Sequence, residues 1–534
     1  MKRVNYFIIS ILCLFLASCN DLEQYPIDRF TDGNYWTSYE KASAVLSQGY
    51  NQMYGSGYFF STEMLSDNLW QKTGNEKTIS AGLADAANGR FSGEWADCYR
   101  GIKTCNIFLE NVDRAPIDPI LKNRMKAEAR FIRAFLFFRL ANWYGDVLHF
   151  EKDPSLAETR VMSRKPYAEV VSWVRSELNA IKDDLPTKQQ YAAADNGRIT
   201  KGTVMTFLAR TYLYENNWAN VASTCEDIIG KKYGEYALFP SYEGLFLPEN
   251  EYNSEVIFDI GYVLGVRTWG DYWDAIPNSV GGRVNGFSPT QELVDDYIMM
   301  NGKTIKADGS GYNENTPYIN RDPRLDATIV YDGYKWKKPD GTLATITIKP
   351  GTGTSNDIYV SGNQTSSATG YYLRKWYDPT APINNIAAGL NLILMRYADV
   401  LLMYAEAKNE LGQMNKTVWD QTIRALRVRA GFVDPNALEF DASLNQSALR
   451  DVIRRERRCE LAIEGTRIFD IRRWKTAEVV LNGKPHGARF ANNNTSYIEL
   501  EVRTFNKDRD YLWAVPQAER DKNPNLDQNP NYSK

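Results

Sequence analysis

The chain has 534 residues, 43% of them hydrophobic, and a formal net charge of −3. That balance excludes the strongly basic surface of a nucleic-acid binder, and the length permits a few domains or one large one. The only 2 histidines, His149 and His486, exclude a multi-histidine metal centre and leave a Ser-His-Asp triad just those candidates.

Lys2 and Arg3 precede the apolar run "YFIISILCLFLA", which ends at Ser18 and Cys19. A basic start, an apolar core and small residues at its end are the layout of a signal peptide. The core falls short of the ~20 apolar residues that a spanning helix needs, so residues 1–18 read as a leader. Leu16-Ala17-Ser18-Cys19 resembles a bacterial lipobox, in which cleavage exposes the cysteine and its thiol carries lipid. Residues 19–31 then read as a lipidated tether. Its Asp21 and Glu23 resemble the surface-export signal of Bacteroidetes lipoproteins. With Cys13 in the leader and Cys19 lipidated, Cys98, Cys105, Cys225 and Cys459 remain. Cys98 and Cys105 are placed ~10 Å apart along one helix. A bridge needs a Cα separation under ~7 Å, so these thiols read as free and buried.

Residues 32–235 read as helical. "AEARFIRAFLFFRLANWYGD" puts Ala127, Phe131, Phe135, Phe138 and Asn142 near helical spacing, with Gly145 as the stop. In "ITKGTVMTFLARTYLYENNWANVASTCEDII", a helix with Leu208, Ala209 and Tyr212 meets the polar turn Glu215-Asn216-Asn217. A second helix follows, with Trp218, Val221, Cys225 and Ile228. This is the tetratricopeptide helix–turn–helix pattern, with Val221 where the repeat usually has Ala. A related pair pairs "YADVLLMYAEAKNELGQ", carrying Ala405 and ending at Gly412, with "TVWDQTIRALRVRAG", carrying Trp419, Ile423, Leu426 and Ala430. Such pairs bury a continuous core only by stacking.

The C-terminal region, 236–534, has three textures. Over 236–390, Gly, Asn, Asp, Pro and Ser punctuate strand-like runs such as "EVIFDIGYV", "TITIK" and "GYYLRKWYD". Its aromatic richness argues against disorder. Helices return within 391–475, at 391–412, 417–430 and 447–475, and the tail 476–534 reads as irregular. The fold class is mostly α: a tetratricopeptide-like superhelix with a loop-rich, mixed ligand-binding region inserted and packed on it.

Several blocks together resemble the SusD/RagB family of Bacteroidetes outer-membrane lipoproteins. They are "EGLFLPENEYNSEVIFDIGY", "RDPRLDATIVYDG", "YLRKWYDP", "LNLILMRYADVLLMYAEAKNELG", "IRRERRCELAIEGTRIFDIRRWK" and "LWAVPQAERDKNPNLDQNPNY", in family order. The resemblance implies a lipid-anchored lid on the outer-membrane surface, over the barrel of a SusC-type TonB-dependent transporter. It implies capture of glycans or, in some members, of peptides, and no catalysis.

Candidate sites follow from residue chemistry. Arg454, Arg455, Glu456, Arg457, Arg458, Glu460, Glu464 and Arg467 crowd one expected helix, with Arg472 and Arg473 nearby. Carboxylates among arginines pair. A glycosidase acid needs a raised pKa, whereas arginines lower it, so this reads as an ion-pair network. The segment "VLGVRTWGDYWDAIPNSVGG", 263–282, is the foremost ligand candidate. Trp269, Tyr272 and Trp273 supply ring faces for a pyranose, and Asp271, Asp274 and Asn278 supply partners for its hydroxyls. "LSDNLWQKTGN", 65–75, adds Trp70, Asp67 and Asn68. Trp95, placed to pack on Tyr99, and Trp36 read as structural. No phosphate loop, nucleophile elbow or paired-cysteine motif is present. No cofactor is implied, although an Asp/Asn-rich loop can lodge a structural calcium.

The sequence thus reads as a surface glycan-capture lipoprotein. A peptide-binding protein of the same architecture, a helical glycoside hydrolase and a pure protein adaptor are the alternatives.

Overall fold

Capping side chains set where the helices begin in the computed structural model, which describes residues 35–363, 365–381, 387–490 and 496–532. The leader, Cys19 and the tether lie outside the described residues. Ser38 accepts from the Lys41 amide and opens α1, Tyr39–Met53. A short α2, Ser56–Met64, follows. Asn88 accepts from the Arg90 amide and opens α3, Gly89–Asn111. Asp118 accepts from two amides, and Pro119 takes the first helical position of α4, Pro119–Tyr144. Gly145, at φ 72°, ends α4. Ala127, Phe131, Phe135 and Phe138 are buried there as the spacing predicts. α5 spans Tyr167–Ile181.

Both helix pairs form. α6, Lys201–Tyr214, is capped by Thr200, and α7, Trp218–Ile229, by Asn217. Ala209, Val221 and Cys225 are fully buried between them, so the larger valine is accommodated. α8 spans Tyr397–Glu410. Its partner runs from Lys416–Trp419 through a π turn, Asp420–Arg424, into Ala425–Ala430. Ala405, Trp419, Ile423 and Leu426 share one apolar cluster. α7 packs against α8, so the two pairs stack.

Two expected helices are shorter. Residues 392–396 form a strand before α8, and 447–475 divides into α9, Gln446–Glu460, and α10, Arg467–Arg473. The break falls at Ile463, φ 62°, and Gly465, φ 71°. Backbone in the left-handed region cannot continue an α-helix.

The strands pair in twos, all antiparallel. β1, Leu69–Gln71, pairs with β3, Phe287–Pro289, and β2, Val256–Ile260, with β8, Leu392–Arg396. β4, Ile329–Val330, pairs with β7, Tyr372–Leu373, and β5, Lys335–Lys337, with β6, Leu343–Thr345. The "TITIK" strand therefore stops at its first residue, Thr345. One apolar core runs from Trp36 to Leu526 and joins the helical body to the loop-rich region.

Cys98, Cys105, Cys225 and Cys459 are free and buried. Burial pushes the Cys105 thiol up to about 12, which keeps it unreactive. No described helix is long and apolar enough to cross a membrane.

Candidate functional site

The β1–β3 pairing joins the 65–75 segment to residues 286–289, just beyond the 263–282 loop. Trp70 lies opposite Ser288, and the Lys72 amide donates to Gly286 O at 2.9 Å. The second segment folds as a short turn, Asp271–Asp274, tied to β7 by Leu373 N donating to Ala275 O at 2.8 Å.

The aromatic rings of both segments turn inward, against the expectation that they are open platforms. Trp70, Trp269, Tyr272 and Trp273 are 6%, 4%, 1% and 1% exposed. Trp269 packs on Phe60 of α2, with centroids 5.2 Å apart, and its Nε1 donates to Leu390 O at 2.7 Å. Tyr272 lies against Tyr377 and Trp273. Arg503 lies over the Trp70 ring at 5.4 Å. A stacking platform needs an open face, and burial leaves none of the four with one. The Gly and Pro flanks do make a loop. They leave the direction of the rings to whatever apolar surface lies beneath.

The polar candidates divide. Asp67 is buried, 2.8 Å from Arg467 and 3.0 Å from Arg458. Burial works against its charge, yet the two arginines hold its carboxyl well below the usual range. Asn68 donates to Glu63 Oε1 at 2.5 Å and accepts from Arg458 Nε at 2.8 Å. Both belong to the core rather than to a ligand rim, which corrects their assignment. Asp271, Asp274 and Asn278 do reach solvent. Asp274 pairs with Arg283 at 2.7 Å, and Asn278 Nδ2 donates to Thr365 O at 2.9 Å. The Asp271 side chain is half-buried and makes no hydrogen bond or ion pair among the described residues. These groups can accept from and donate to hydroxyls.

The arginine-rich stretch is a buried ion-pair network. Arg457 lies 2.6 Å from Asp399 and 2.8 Å from Asp470. Glu456 bridges Arg324 and Arg427 at 2.7 and 2.8 Å. Glu460 meets Arg324, Arg396 and Arg429. Burial opposes the charge of Glu460, yet these three guanidiniums hold its carboxyl far below the usual range. A carboxyl so held cannot act as a general acid near neutral pH. Arg473 joins the network through Glu406 and Asp470, whereas Arg472 makes no ion pair among the described residues.

Trp36 and Trp95 are 3% exposed, and Trp95 packs on Tyr99 at 5.0 Å between centroids. His149 is wedged between Phe137 and Trp173, and His486 contacts Glu292. Among the described residues no group of three or more His, Cys, Asp or Glu is placed to hold a metal. Sequence reading missed a set of half-buried tyrosines. Tyr318 and Tyr331 stack at 3.8 Å, and Tyr334 meets Tyr331 edge-on. Their signal was "TPYIN" and "VYDGYKW", aromatic residues among turn formers.

Comparison with known proteins gives this architecture a family. Residues 23–213 match the model described as starch-binding, associating with outer membrane. SusD-like protein P2 of Formosa agariphila is 26% identical over 557 residues, covering 100% of both chains. A SusD-like protein of Bacteroides ovatus is 25% identical, over 88% of this chain and 82% of its own. The crystal structure of a SusD-like carbohydrate binding protein from Bacteroides fragilis superposes with a TM-score of 0.83 at 29% identity. That match covers 92% of this chain and 100% of the other. The SusD family model itself matches residues 254–532, more than half of the sequence. The chain therefore belongs to the SusD family.

Proposed function

We infer that the protein is a cell-surface glycan-capture lipoprotein that passes oligo- or polysaccharide to a SusC-type TonB-dependent transporter. The observation that carries this reading is the near full-length similarity to the Bacteroides fragilis carbohydrate binding protein, in sequence and in fold. Association with the outer membrane accords with the N-terminal family match. Lipid on Cys19 supplies the anchor, and the acidic tether directs the chain outward. In this reading the helical region 32–235 and the region 236–534 share one core, and the loops of 236–390 carry the ligand surface.

Recognition rests on hydroxyl contacts from Asp271, Asp274 and Asn278. Trp269, Tyr272 and Trp273 hold that rim rigid from below, which limits the entropy lost on binding. Half-buried tyrosines such as Tyr331 and Tyr334 offer partial ring faces. Titration calorimetry of the full chain against plant, host and microbial polysaccharides tests the reading. One glycan class should bind, and Asp271→Ala should weaken it about tenfold, the worth of a hydrogen bond to a charged group, with the unfolding midpoint unchanged. Silence across the whole panel would overturn glycan capture.

A further inference from the structure

A wide cleft of about 780 Å3 opens between the C-terminal end of α4, the start of α5, α10 and the tail around residues 511–530. None of its lining residues belongs to the rim of the 263–282 loop. Arg472 forms part of its wall. This side chain is 8% exposed and lies over the Trp143 ring at 4.6 Å. Its Nη2 donates to Asn142 O at 3.0 Å and to Tyr511 O. Its remaining N–H groups have no protein acceptor among the described residues, and they are not sealed from solvent. Among the described residues no carboxylate pairs with it, although its neighbour Arg473 holds two.

Lys475 stands at the lip. Its backbone lies in the left-handed region, φ 56°, and its ammonium sits 4.0 Å from the centre of the Tyr511 ring. It forms no ion pair among the described residues. Burial without an acidic partner lowers Arg472 to about 10. Burial and the Arg472 charge lower Lys475, and Glu478 offsets them in part. Arg472 thus faces the cavity with no carboxylate partner of its own among the described residues, and an incoming anion relieves that burial. Asp146 and Asp527 also border the cleft, and Arg164 is placed to offset them. Tyr167 and Tyr214, both half-buried, add aromatic wall.

We propose that this cleft is a second saccharide subsite, one that takes an acidic sugar. The carboxylate of a uronate or the sulfate ester of a sulfated sugar accepts from Arg472 and Lys475, and the ring packs against Tyr167 and Tyr214. Guanidinium suits this role because its fixed fork matches the geometry of such oxyanions. Binding here is noncovalent. The proposal rests on the glycan-capture reading and adds the charge class of one ligand unit.

The test is calorimetry on the full chain with three matched oligosaccharide sets: neutral, uronate-containing and sulfated. An acidic set should bind more tightly than the neutral one, and the preference should shrink as salt rises. Lys475→Glu, on an exposed side chain, should cost the acidic ligand roughly tenfold or more, as expected for a charge-assisted hydrogen bond replaced by repulsion. Arg472→Gln should cost at least as much; circular dichroism checks that its fold survives, and Lys475→Glu carries the test if it does not. The uronate and sulfate sets show which oxyanion fits. Equal affinity for neutral and acidic sets, or an acidic preference unmoved by Lys475→Glu, would overturn the proposal. If binding then falls only with Asp271→Ala, glycan capture stands and the acidic subsite fails. If no set binds at all, both fail.

Discussion

Arg457 and Arg472, on adjacent helices, are both turned away from bulk solvent, and their surroundings differ completely. Arg457 sits between Asp399 and Asp470, and those charges outweigh its burial and raise its pKa. Arg472 rests on two carbonyls and an indole face, and burial lowers it to about 10. A buried cation with carboxylates on two sides is closed to further partners and locks its helix. One that faces a cavity and has no carboxylate partner of its own is open to a ligand. Network and cleft thus differ in counter-ions rather than in residue type.

The largest expected effect breaks the closed side. Glu460→Gln removes one carboxylate from among three guanidiniums and leaves buried cations uncompensated. Breaking a buried pair costs about 3–5 kcal/mol, so denaturant unfolding should show a loss of that order. Trp273→Ala comes next. Its ring is 1% exposed, and truncating a buried aromatic residue costs about 3–5 kcal/mol. Chemical unfolding should register the loss, whereas an open ligand platform would lose affinity with little change in stability.

Acid should act on the same network. Asp67, Asp399 and Glu460 have depressed carboxyl pKa values, because arginine charges outweigh burial. A depressed carboxyl contributes stability that is present above its unfolded pKa near 4 and is lost as pH falls through its folded value. Unfolding free energy should therefore drop steeply below about pH 4. Asp259 has the opposite sign. Burial pushes it up to about 7, with Asn391 and Lys188 opposing in part. The folded state then holds a proton that the unfolded state has released, so this residue removes stability as pH rises from about 4 towards 7. Asp259→Asn should raise the unfolding midpoint at pH 8 more than at pH 4; an equal shift at both would refute the assignment. The smallest effect belongs to the open side. Lys475→Glu should change stability by less than about 0.5 kcal/mol, as exposed substitutions do, while changing selectivity among acidic and neutral sugars.

Much of this was readable from the residues. Trp419, Ile423 and Leu426 recur at helical spacing, and spacing alone puts them on one face. The alternation of Arg and Glu around 454–467 implied an ion-pair network because unpaired charges cannot be buried. The family blocks gave the fold, and the comparisons carry it. The strand at 392–396 was hidden because a short apolar run before a helix reads as more helix.

Sequence by itself determined which residues are apolar, which carry charge and where caps and turns interrupt the helices, because those are properties of neighbours along the chain. Tertiary structure alone decided which way Trp269, Tyr272 and Trp273 face, since that depends on α2 and β7, distant in sequence, arriving beneath the loop. It likewise decided that, among the described residues, Arg457 meets two carboxylates and Arg472 none. Counter-ions come from wherever the chain folds back, and local spacing carries no record of them.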